Sequence, residues 1–394
     1  MQKIVLFTGG IETLDFFSRQ IGKALEEKEY GVFYFDLDQE EEGQKQLVQF
    51  AKTGDVGVIT FNFNGIRGEE SLYLEDGTSI WEAWEIPCYN IVVDHPFYYH
   101  ELLEKVPDGY HHISIDRDHR KYMKRFYKQI DADFFFPLAG TEYKRKELQL
   151  PMEQRPYDVV FVGNYTSPEE FEPHITRIND EYTAFYYEII NDLIAHPEMT
   201  MEFAFEKYLT REMPDIEEED LRLAMSNMIF IDLYVRFYFR GLVVQTLADA
   251  GISIYICGKG WETLKCKHPE NIISTGFVNT EQCLLALSKA KISLNVMPWF
   301  KDGAHDRIFS SMLNGAVCVT DDSRYLREHF KDEEALVYYD LKHIGELPKK
   351  VEKLLKDTSM LEKIQTCAYE KGKEENWKNR VDKLIQILGD GEFL

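Results

Sequence analysis

The chain has 394 residues, more than one hydrophobic core usually supports, so its length predicts two domains. Its 69 acidic and 45 basic residues give a net charge of −24, which argues against nucleic acid or an anionic membrane as a general partner. No apolar run reaches the ~18 residues that a membrane helix needs. The start, MQKIVLFTGG, is typical of a first strand rather than a signal peptide, so we expect a cytoplasmic protein with no integral membrane segment.

Short hydrophobic runs alternate with helix-compatible segments through residues 1–150. The runs are KIVLF, GVFYFD, DVGVITF, IPCYNIVV, YHHISI and ADFFFP. This alternation predicts a mostly parallel sheet covered by helices on both faces. We therefore expect residues 1–150 to form one doubly wound, Rossmann-like domain of the α/β class.

Glycines and amides follow the first and third of these runs. Gly9 and Gly10 end the first run, but TGGIET lacks the G-x-G-x-x-G spacing of a dinucleotide site. Asn62 and Asn64 alternate with two phenylalanines where the third run ends. Amides at a strand end suit the hydroxyl groups of a sugar, and they suit ordinary turns equally well. The two glycines predict a tight turn, either beside a substrate or without one.

The fourth run ends in VVDHPFYYH, which places an acid and an imidazole directly after buried β-branched residues. Pro96 restricts the residue before it to extended geometry, so Asp94 and His95 are expected at the sheet edge rather than inside a helix. This pair is the strongest candidate in the sequence for a general base. The alternative is that the pair caps a helix that begins near Phe97.

The six cysteines are scattered, and none forms a C-x-x-C pair. They are Cys88, Cys257, Cys266, Cys283, Cys318 and Cys367. Several lie inside apolar, strand-like runs, so we interpret the set as buried, reduced thiols. We expect no metal site from them.

The strand pattern restarts after a polar segment at residues 139–155, which we interpret as a linker. YDVVFVGNYT predicts a strand that ends at Gly163 and Asn164, and ISIYICGKGW predicts one that ends at Gly258 and Lys259. Glycine lets a ligand approach the backbone closely, and a lysine there offsets phosphate charge.

The second half of the chain contains more helix than a minimal α/β domain needs. Residues from about 170 to 250 have few glycines and carry aromatic residues at helical spacing, a stripe typical of core or partner-helix packing. We therefore expect residues 151–375 to form a second Rossmann-like domain that contains a helical insert.

A strand, loop, helix and strand occupy Lys291 to Asp322. The loop MPWFKDGAHD supplies Lys301, Asp302, His305 and Asp306, and Arg307 follows as the helix begins. A helix start offers unpaired N–H groups and the positive end of its dipole, which suits a phosphate. The alternative is a solvated loop with ordinary helix caps.

The segment GAHDRIFSSMLNGAVCVTDDSRYLREHF, preceded by GFVNTEQCLLALSKAKISLNV, resembles bacterial glycosyltransferases of the GT-B fold. The similarity is greatest to the CgeB-like (spore maturation protein) group. It covers about residues 157–340 with a gap, and VVDHPFYYH is similar to the same group. The resemblance implies two Rossmann-like domains and a final helix at residues 376–394 that packs back on the first domain.

The resemblance also implies roles for particular residues. Gly163 and Asn164 correspond to a turn beside the donor diphosphate, and Phe277 and Val278 to a loop beside the nucleotide base. Many GT-B transferases have a glutamate where this chain has Ser310, and that glutamate hydrogen-bonds the donor ribose or sugar. The serine leaves the identity of the donor and the stereochemical outcome open.

The predicted function is therefore sugar transfer from a nucleotide-diphosphate-sugar donor to a cell-surface, spore-coat or protein acceptor. The donor is a co-substrate, and neither a cofactor nor a metal is expected. The catalytic candidates are Asp94 and His95, and the glycines and asparagines at the first and third strand ends are the acceptor-binding candidates. The donor-binding candidates are Gly163, Asn164, Gly258, Lys259, Phe277, Val278, His305, Asp306, Arg307 and Ser310.

Two other functions fit the same architecture. A nucleotide-sugar epimerase would isomerise the donor without an acceptor. A non-catalytic nucleotide-binding or assembly protein would use the helical insert for a partner, and a homo-oligomer is possible in any of the three cases. Fold alone does not choose among them.

Overall fold

A computed structural model describes residues 1–52, 54–143 and 150–389 and divides the chain into two compact units. The first unit comprises Met1–Leu138 and the helix Trp377–Gly389. The second unit is Ala139–Asn376. The sequence placed the boundary at residue 150. In the structure the first unit ends at Leu138 before it resumes with the final helix, so the boundary lies twelve residues earlier.

Parallel strands form one sheet in each unit, and the hydrophobic runs of the sequence supply them. In the first unit they are β1 (Lys3–Thr8), β2 (Gly31–Asp36), β3 (Val56–Phe61), β4 (Cys88–Val92), β5 (Tyr110–Ser114) and β6 (Asp131–Phe135). In the second unit they are β7 (Tyr157–Val162), β8 (Ile254–Cys257), β9 (Ile272–Ser274), β10 (Ala290–Asn295), β11 (Val317–Thr320) and β12 (Val337–Tyr338). The central strands β3 and β4 are buried along their whole length, as expected for strands covered on both faces.

Helices connect the strands. They are α1 (Glu12–Glu26), α2 (Glu40–Ala51), α3 (Ile80–Ala83), α4 (His100–Leu103), α5 (Arg117–Phe126), α6 (Glu172–Ile175), α7 (Asp180–Ala195), α8 (Met201–Glu212), α9 (Glu218–Ser226), α10 (Ile229–Asp249), α11 (Thr280–Ser288), α12 (Asp306–Leu313), α13 (Arg324–His329), α14 (Leu347–Lys356), α15 (Thr358–Gly372) and α16 (Trp377–Gly389). The final helix α16 packs on α1, where the rings of Trp377 and Phe17 lie 5.3 Å apart. Because α6 to α9 precede the crossover helix α10, they form the helical insert.

The strand order places a switch point in each sheet. The described strands of the first unit run in the order β2-β1-β3-β4-β5-β6, and those of the second unit in the order β12-β11-β10-β7-β8-β9. The order reverses between β1 and β3 and between β7 and β10. Ligands of open α/β sheets bind outside the carboxyl ends of the strands at such points. These two sheets confirm the predicted pair of doubly wound, Rossmann-like domains.

The cysteines differ in burial. Cys88, Cys257 and Cys318 are buried, but Cys266, Cys283 and Cys367 are partly exposed, so the expectation of buried thiols was wrong for the second three. Those three lie outside the buried strands that enclose the first three.

Across residues 1–52, 54–143 and 150–389, no helix is both long enough and apolar enough to span a bilayer.

Candidate functional site

The turns after β7 and β8 pack against each other through their glycines. A Cβ at Gly258 would lie 2.1 Å from the Gly163 carbonyl oxygen, a distance that only a shift of backbone relieves. Gly163 has a φ of +150°, and a Cβ there would lie 2.8 Å from Arg307 Nη1. Trp261 Nε1 donates to the same Gly163 carbonyl at 2.9 Å. Close backbone approach therefore requires glycine at both strand ends.

We predict that Gly258→Ala lowers the free energy of unfolding by about 1–3 kcal/mol or more, the usual cost of overpacking. The new methyl group meets main chain, which moves less readily than a side chain. Denaturant unfolding measures the effect, and Gly345→Ala is the matched control because a Cβ at Gly345 meets nothing within 4 Å. Equal stability of the two variants would contradict the packing described here.

Asn164 links the β8 turn to the helix α10. Its side-chain oxygen accepts a hydrogen bond from the Lys259 amide at 2.9 Å, and its carbonyl oxygen accepts one from Arg240 Nη1 at 2.6 Å. Asn164 thus fixes the shape of the turn and the position of a guanidinium. Lys259 itself is exposed, and its ammonium lies 4.9 Å from the centre of the Phe277 ring, which is 61% exposed. Val278, the next residue in the chain, is partly exposed.

Arg307 extends from the first turn of α12 to the end of β7. Its Nη1 donates to the Val162 carbonyl, and its guanidinium carbon lies 5.7 Å from the centre of the Phe161 ring. The side chain is 9% exposed. The structure therefore brings the predicted donor residues Arg307 and Gly163 together at the switch point between β7 and β10.

A second buried arginine, Arg240, lies beside Arg307. It comes from α10, is 8% exposed, and is flanked by the rings of Phe237 and Trp299 at 5.2 and 5.3 Å. Burial, followed by the charges of Arg307 and Arg236, lowers the pKa of Arg240 well below its ordinary value. Burial likewise lowers the pKa of Arg307. Two like charges at low exposure therefore repel each other at this strand end.

The two guanidinium groups have unused hydrogen-bonding capacity. Within the described residues, Arg240 Nε and Arg307 Nη2 are buried without a hydrogen-bond partner. A buried donor left unpaired costs free energy, and a buried charge costs more. An anion bound beside the two guanidinium groups would offset both charges. The arrangement thus fits a phosphate or diphosphate.

Sequence reasoning missed Arg240 because the helical segment was interpreted as a core stripe. A signal was present in IFIDLYVRFYFRG, where Asp232, Arg236 and Arg240 follow one another at four-residue spacing in a segment that is otherwise mostly apolar. That spacing puts both arginines on one face, and a buried face does not usually carry two arginines. Arg236 pairs with Asp232 at 3.0 Å and lies over the Trp299 ring at 4.3 Å.

His305 caps the start of α12 and contacts both neighbouring charged groups. Its Nδ1 lies 2.6 Å from Asp306 Oδ1 and 3.2 Å from Arg307 Nε. Burial and the Arg307 charge lower the pKa of His305, so the imidazole is neutral at pH 7. A proton on Nδ1 donates to Asp306, whereas an unprotonated Nδ1 accepts from Arg307. The imidazole of His305 therefore orients the Arg307 guanidinium when it is in the tautomer whose Nδ1 carries no proton.

Other residues of the predicted loop hold it in place. Lys301 Nζ donates to the carbonyl oxygens of Pro197 and Pro298, and Asp302 Oδ2 lies 3.3 Å from Arg324 Nε. These contacts tie the loop to the insert and to α13. The two side chains thus serve the shape of the loop in this structure.

Ser310 is hydrogen-bonded to the segment that precedes β7. Its Oγ accepts from the Thr141 amide at 3.1 Å, and Asn314 on the next turn accepts from the Tyr143 amide at 2.8 Å. A Cβ at Gly140 would lie 2.5 Å from the Phe309 carbonyl carbon. Residues 139–143, predicted as linker, therefore pack on α12. The rest of the predicted linker includes residues 144–149, which lie outside the described residues.

In the first unit, Asp94 is held by hydrogen bonds from two neighbours. Asn62 Nδ2 and the Tyr99 hydroxyl both donate to Asp94 Oδ2, each at 3.1 Å. The Asn62 side-chain oxygen accepts from the Val93 amide at 2.9 Å. The predicted catalytic residue Asp94 is thus hydrogen-bonded to the predicted acceptor residue Asn62. Asp94 follows β4, which lies next to β3 and therefore one strand away from the β1–β3 switch point.

The turn that carries Asn62 is left-handed, with φ of 47° at Asn62 and 65° at Phe63. The Phe63 amide donates to Asn90 Oδ1 at 3.1 Å, and the Thr60 hydroxyl donates to the Asn64 carbonyl at 2.6 Å. Asn90 was not among the predicted residues, because an asparagine inside a hydrophobic run gives no signal of this contact. Asn64 is 3% exposed and serves the turn.

The remaining predicted residues of this unit lie in turns. His95 Nδ1 accepts from the Phe97 amide at 3.2 Å as the cap of a 3₁₀ turn, and its ring is 4.0 Å from that of Phe97. This is the capping geometry that the sequence left open. Gly9 has a φ of 80°, with Asp36 Oδ1 2.9 Å from where a Cβ would stand. Gly10 follows with a φ of 65°.

Asp321 follows β11 and is 4% exposed. Burial raises the pKa of this carboxyl from 3.8 to about 7, although the hydrogen bond from the Met297 amide and the charge of Lys301 act in the opposite direction. Between pH 4 and 7 the unfolded chain has lost this proton while the folded chain keeps it. The Asp321 contribution therefore lowers the free energy of unfolding as the pH rises through this range.

We predict that Asp321→Asn stabilises the protein relative to the unmodified chain, and more at pH 8 than at pH 5. Between pH 5 and pH 8, the difference in free energy of unfolding between the variant and the unmodified chain should increase by on the order of 3 kcal/mol, since a pKa unit corresponds to about 1.4 kcal/mol. Urea unfolding at the two pH values measures it. A stability difference that does not change with pH would contradict the assignment.

Within the described ranges, no group of three or more His, Cys, Asp or Glu is arranged to hold a metal ion.

Comparison with known proteins agrees with the fold. Sucrose-phosphate synthase from Thermosynechococcus elongatus has a TM-score of 0.53 at 12% identity, covering 99% of this chain and 98% of that one. Anabaena HepE in complex with UDP and glucose has a TM-score of 0.52 at 11% identity, covering 99% and 100%. AviGT4, a glycosyltransferase involved in avilamycin A biosynthesis, has a TM-score of 0.53 at 12% identity, covering 100% and 99%. A search of curated protein sequences finds no match.

The two doubly wound sheets are thus those of the GT-B fold. Residues 240–386 match the family model Glyco_trans_1_2, described as glycosyl transferase-like, and the match begins at Arg240 and includes Arg307. The GT-B fold and the family match over residues 240–386 agree with a glycosyltransferase. They confirm the predicted enzyme class.

Proposed function

We propose that this protein transfers a sugar from a nucleoside-diphosphate sugar to a hydroxyl group of a glycan, spore-coat or protein acceptor. One observation carries the proposal: Arg240 and Arg307 are buried side by side at the β7–β10 switch point with unpartnered N–H groups among the described residues. This is the place and the chemistry for a diphosphate. We also propose that the protein belongs to the CgeB-like group and that it is located in the cytoplasm.

Transfer builds negative charge on the departing nucleoside diphosphate. Two guanidinium groups in a poorly solvated site stabilise that charge without reorganising, because the packing already fixes them. Arg307 is held by the Val162 carbonyl and Arg240 by the Asn164 carbonyl. We propose that they supply the charge stabilisation and that the reaction needs no metal.

The acceptor hydroxyl loses a proton during transfer. Asp94 is the proposed base, since Asn62 and Tyr99 orient its carboxylate at the carboxyl end of β4. Such a base contributes roughly 100- to 10,000-fold to a rate. The HepE complexes contain UDP and UDP-glucose, so uridine is the first donor base to test.

Isothermal calorimetry with UDP, GDP, ADP and dTDP tests the donor site. We expect at least one diphosphate to bind with a Kd below 1 mM, which corresponds to about −4.1 kcal/mol. Binding of none would overturn the proposal. Product analysis with UDP-glucose alone separates the transferase from the epimerase, because only the epimerase yields an isomerised donor without an acceptor.

A further inference from the structure

We propose that the second unit contains a separate subsite for a neutral sugar, formed at the carboxyl ends of β11 and β12. A cavity of about 580 Å³ lies there, lined by Asp321 and Ser323 after β11 and by Tyr339 and Asp340 after β12. Glu198 from the insert closes another side. The volume falls within the range of small-ligand pockets, about 300–1,000 Å³. The ligand class rests on the proposed transferase function.

Asp321 is the group that indicates a ligand. The side chain is 4% exposed and lines the cavity. In the described chain, its carboxylate accepts hydrogen bonds from the Met297 amide at 2.8 Å and from its own amide. A carboxyl group, protonated or not, has more lone-pair positions than these two N–H groups occupy, so acceptor capacity is left for a ligand that donates. Sugar hydroxyl groups are such donors.

The charges of the lining argue against a phosphate in this cavity. The lining contains six carboxylic side chains and four lysines or arginines. The acids are Glu198, Asp321, Asp322, Asp332, Asp340 and Glu346, and the bases are Lys301, Arg324, Arg327 and Lys350. An excess of acid favours a neutral, hydroxyl-rich ligand over an anion.

The bases are also engaged with protein groups. Arg327 Nε lies 2.7 Å from Asp322 Oδ2, and Lys350 Nζ donates to the Tyr338 carbonyl. Lys301 donates to two carbonyl oxygens, and Arg324 pairs with a carboxylate outside the lining. The proposed diphosphate site has the opposite character, because two of its guanidinium N–H groups have no partner among the residues that the structure describes. The proposed diphosphate site therefore suits the charged part of a nucleotide sugar, and the cavity suits a neutral sugar.

The position of the cavity suits a sugar that takes part in the transfer. The Met297 amide that Asp321 binds belongs to the loop after β10, and β10 borders the diphosphate site. Neighbouring strands lie about 4.8 Å apart, so the ends of β10 and β11 are about one sugar ring apart. The sugar comes either from the donor or from the acceptor.

The first experiment measures Asp321→Asn by calorimetry against UDP and UDP-glucose and by the kinetics of UDP release from UDP-glucose, with methyl glycosides of glucose, galactose, mannose and N-acetylglucosamine as acceptors. If the subsite holds the donor sugar, UDP-glucose binds at least tenfold more weakly while UDP binds as before. If it holds the acceptor sugar, the acceptor KM rises at least tenfold while both affinities stay the same. Unchanged UDP affinity also shows that the variant is folded. Unchanged values throughout would refute the subsite.

The control and a second experiment separate this inference from the proposed function. Asp158→Asn removes an exposed carboxylate that pairs with Lys291 and should change none of these values. Saturation-transfer NMR with the methyl glycosides of glucose, galactose, mannose and N-acetylglucosamine needs no nucleotide. Signal for at least one glycoside that is lost in Asp321→Asn supports the subsite even if no nucleotide binds. Absence of signal for all four, together with unchanged kinetics, refutes it.

Discussion

Replacing Asp94 by asparagine is expected to lower kcat by roughly 100- to 10,000-fold, the contribution of a positioned general base. Asparagine keeps the shape of the side chain and still accepts the hydrogen bonds that Asn62 and Tyr99 donate to Asp94. The amide cannot take the proton of an acceptor hydroxyl. The Kd of UDP should not change, because the diphosphate residues belong to the second unit. Steady-state kinetics and calorimetry give the two values.

Asp108→Asn is the matched control for this prediction, since Asp108 is an exposed aspartate of the same unit. It should retain the unmodified kcat. A loss of activity in Asp94→Asn that is accompanied by a loss of thermal stability would indicate a structural role. A kcat within threefold of the unmodified value would exclude Asp94 as the base.

Replacing Arg240 by methionine is expected to weaken UDP binding and to stabilise the unliganded protein. The loss of hydrogen bonds to a charged phosphate costs about 1.5–3 kcal/mol, a factor of roughly 10 to 150 in Kd. The gain in stability, of order 1 kcal/mol, arises because the variant no longer buries a charge beside Arg307. Residues that lower stability and raise affinity are typical of binding sites rather than of cores.

Arg307→Met and the double variant complete the test. If both arginines hold one diphosphate, their effects on UDP binding are coupled, and the double variant loses less affinity than the sum of the single losses. Arg211→Met is the control, because Arg211 pairs with Glu188 and Glu212 on the exposed surface of the insert. Additive effects, or an affinity loss in the control, would argue against a shared ligand.

Much of the fold followed from the hydrophobic pattern. Short buried runs separated by helical segments predict parallel sheets, because such strands are covered on both faces and carry few polar residues. The pattern also identified strand ends, and hence Gly163, Gly258 and Asp94. It gave no information on whether Asn164 or Ser310 face a ligand, and in this structure both hydrogen-bond to the protein itself.

The sequence by itself determined the two sheets, the class of protein and the loop that carries Arg307. Only the tertiary structure placed Arg240 beside it, from a helix that lies three strands earlier in the chain, and Asn62 beside Asp94. The reason is physical: periodicity reports which side of a helix or strand is buried. Which polar groups meet at a strand end depends on the order of the strands, and that order arises from the packing of the whole sheet.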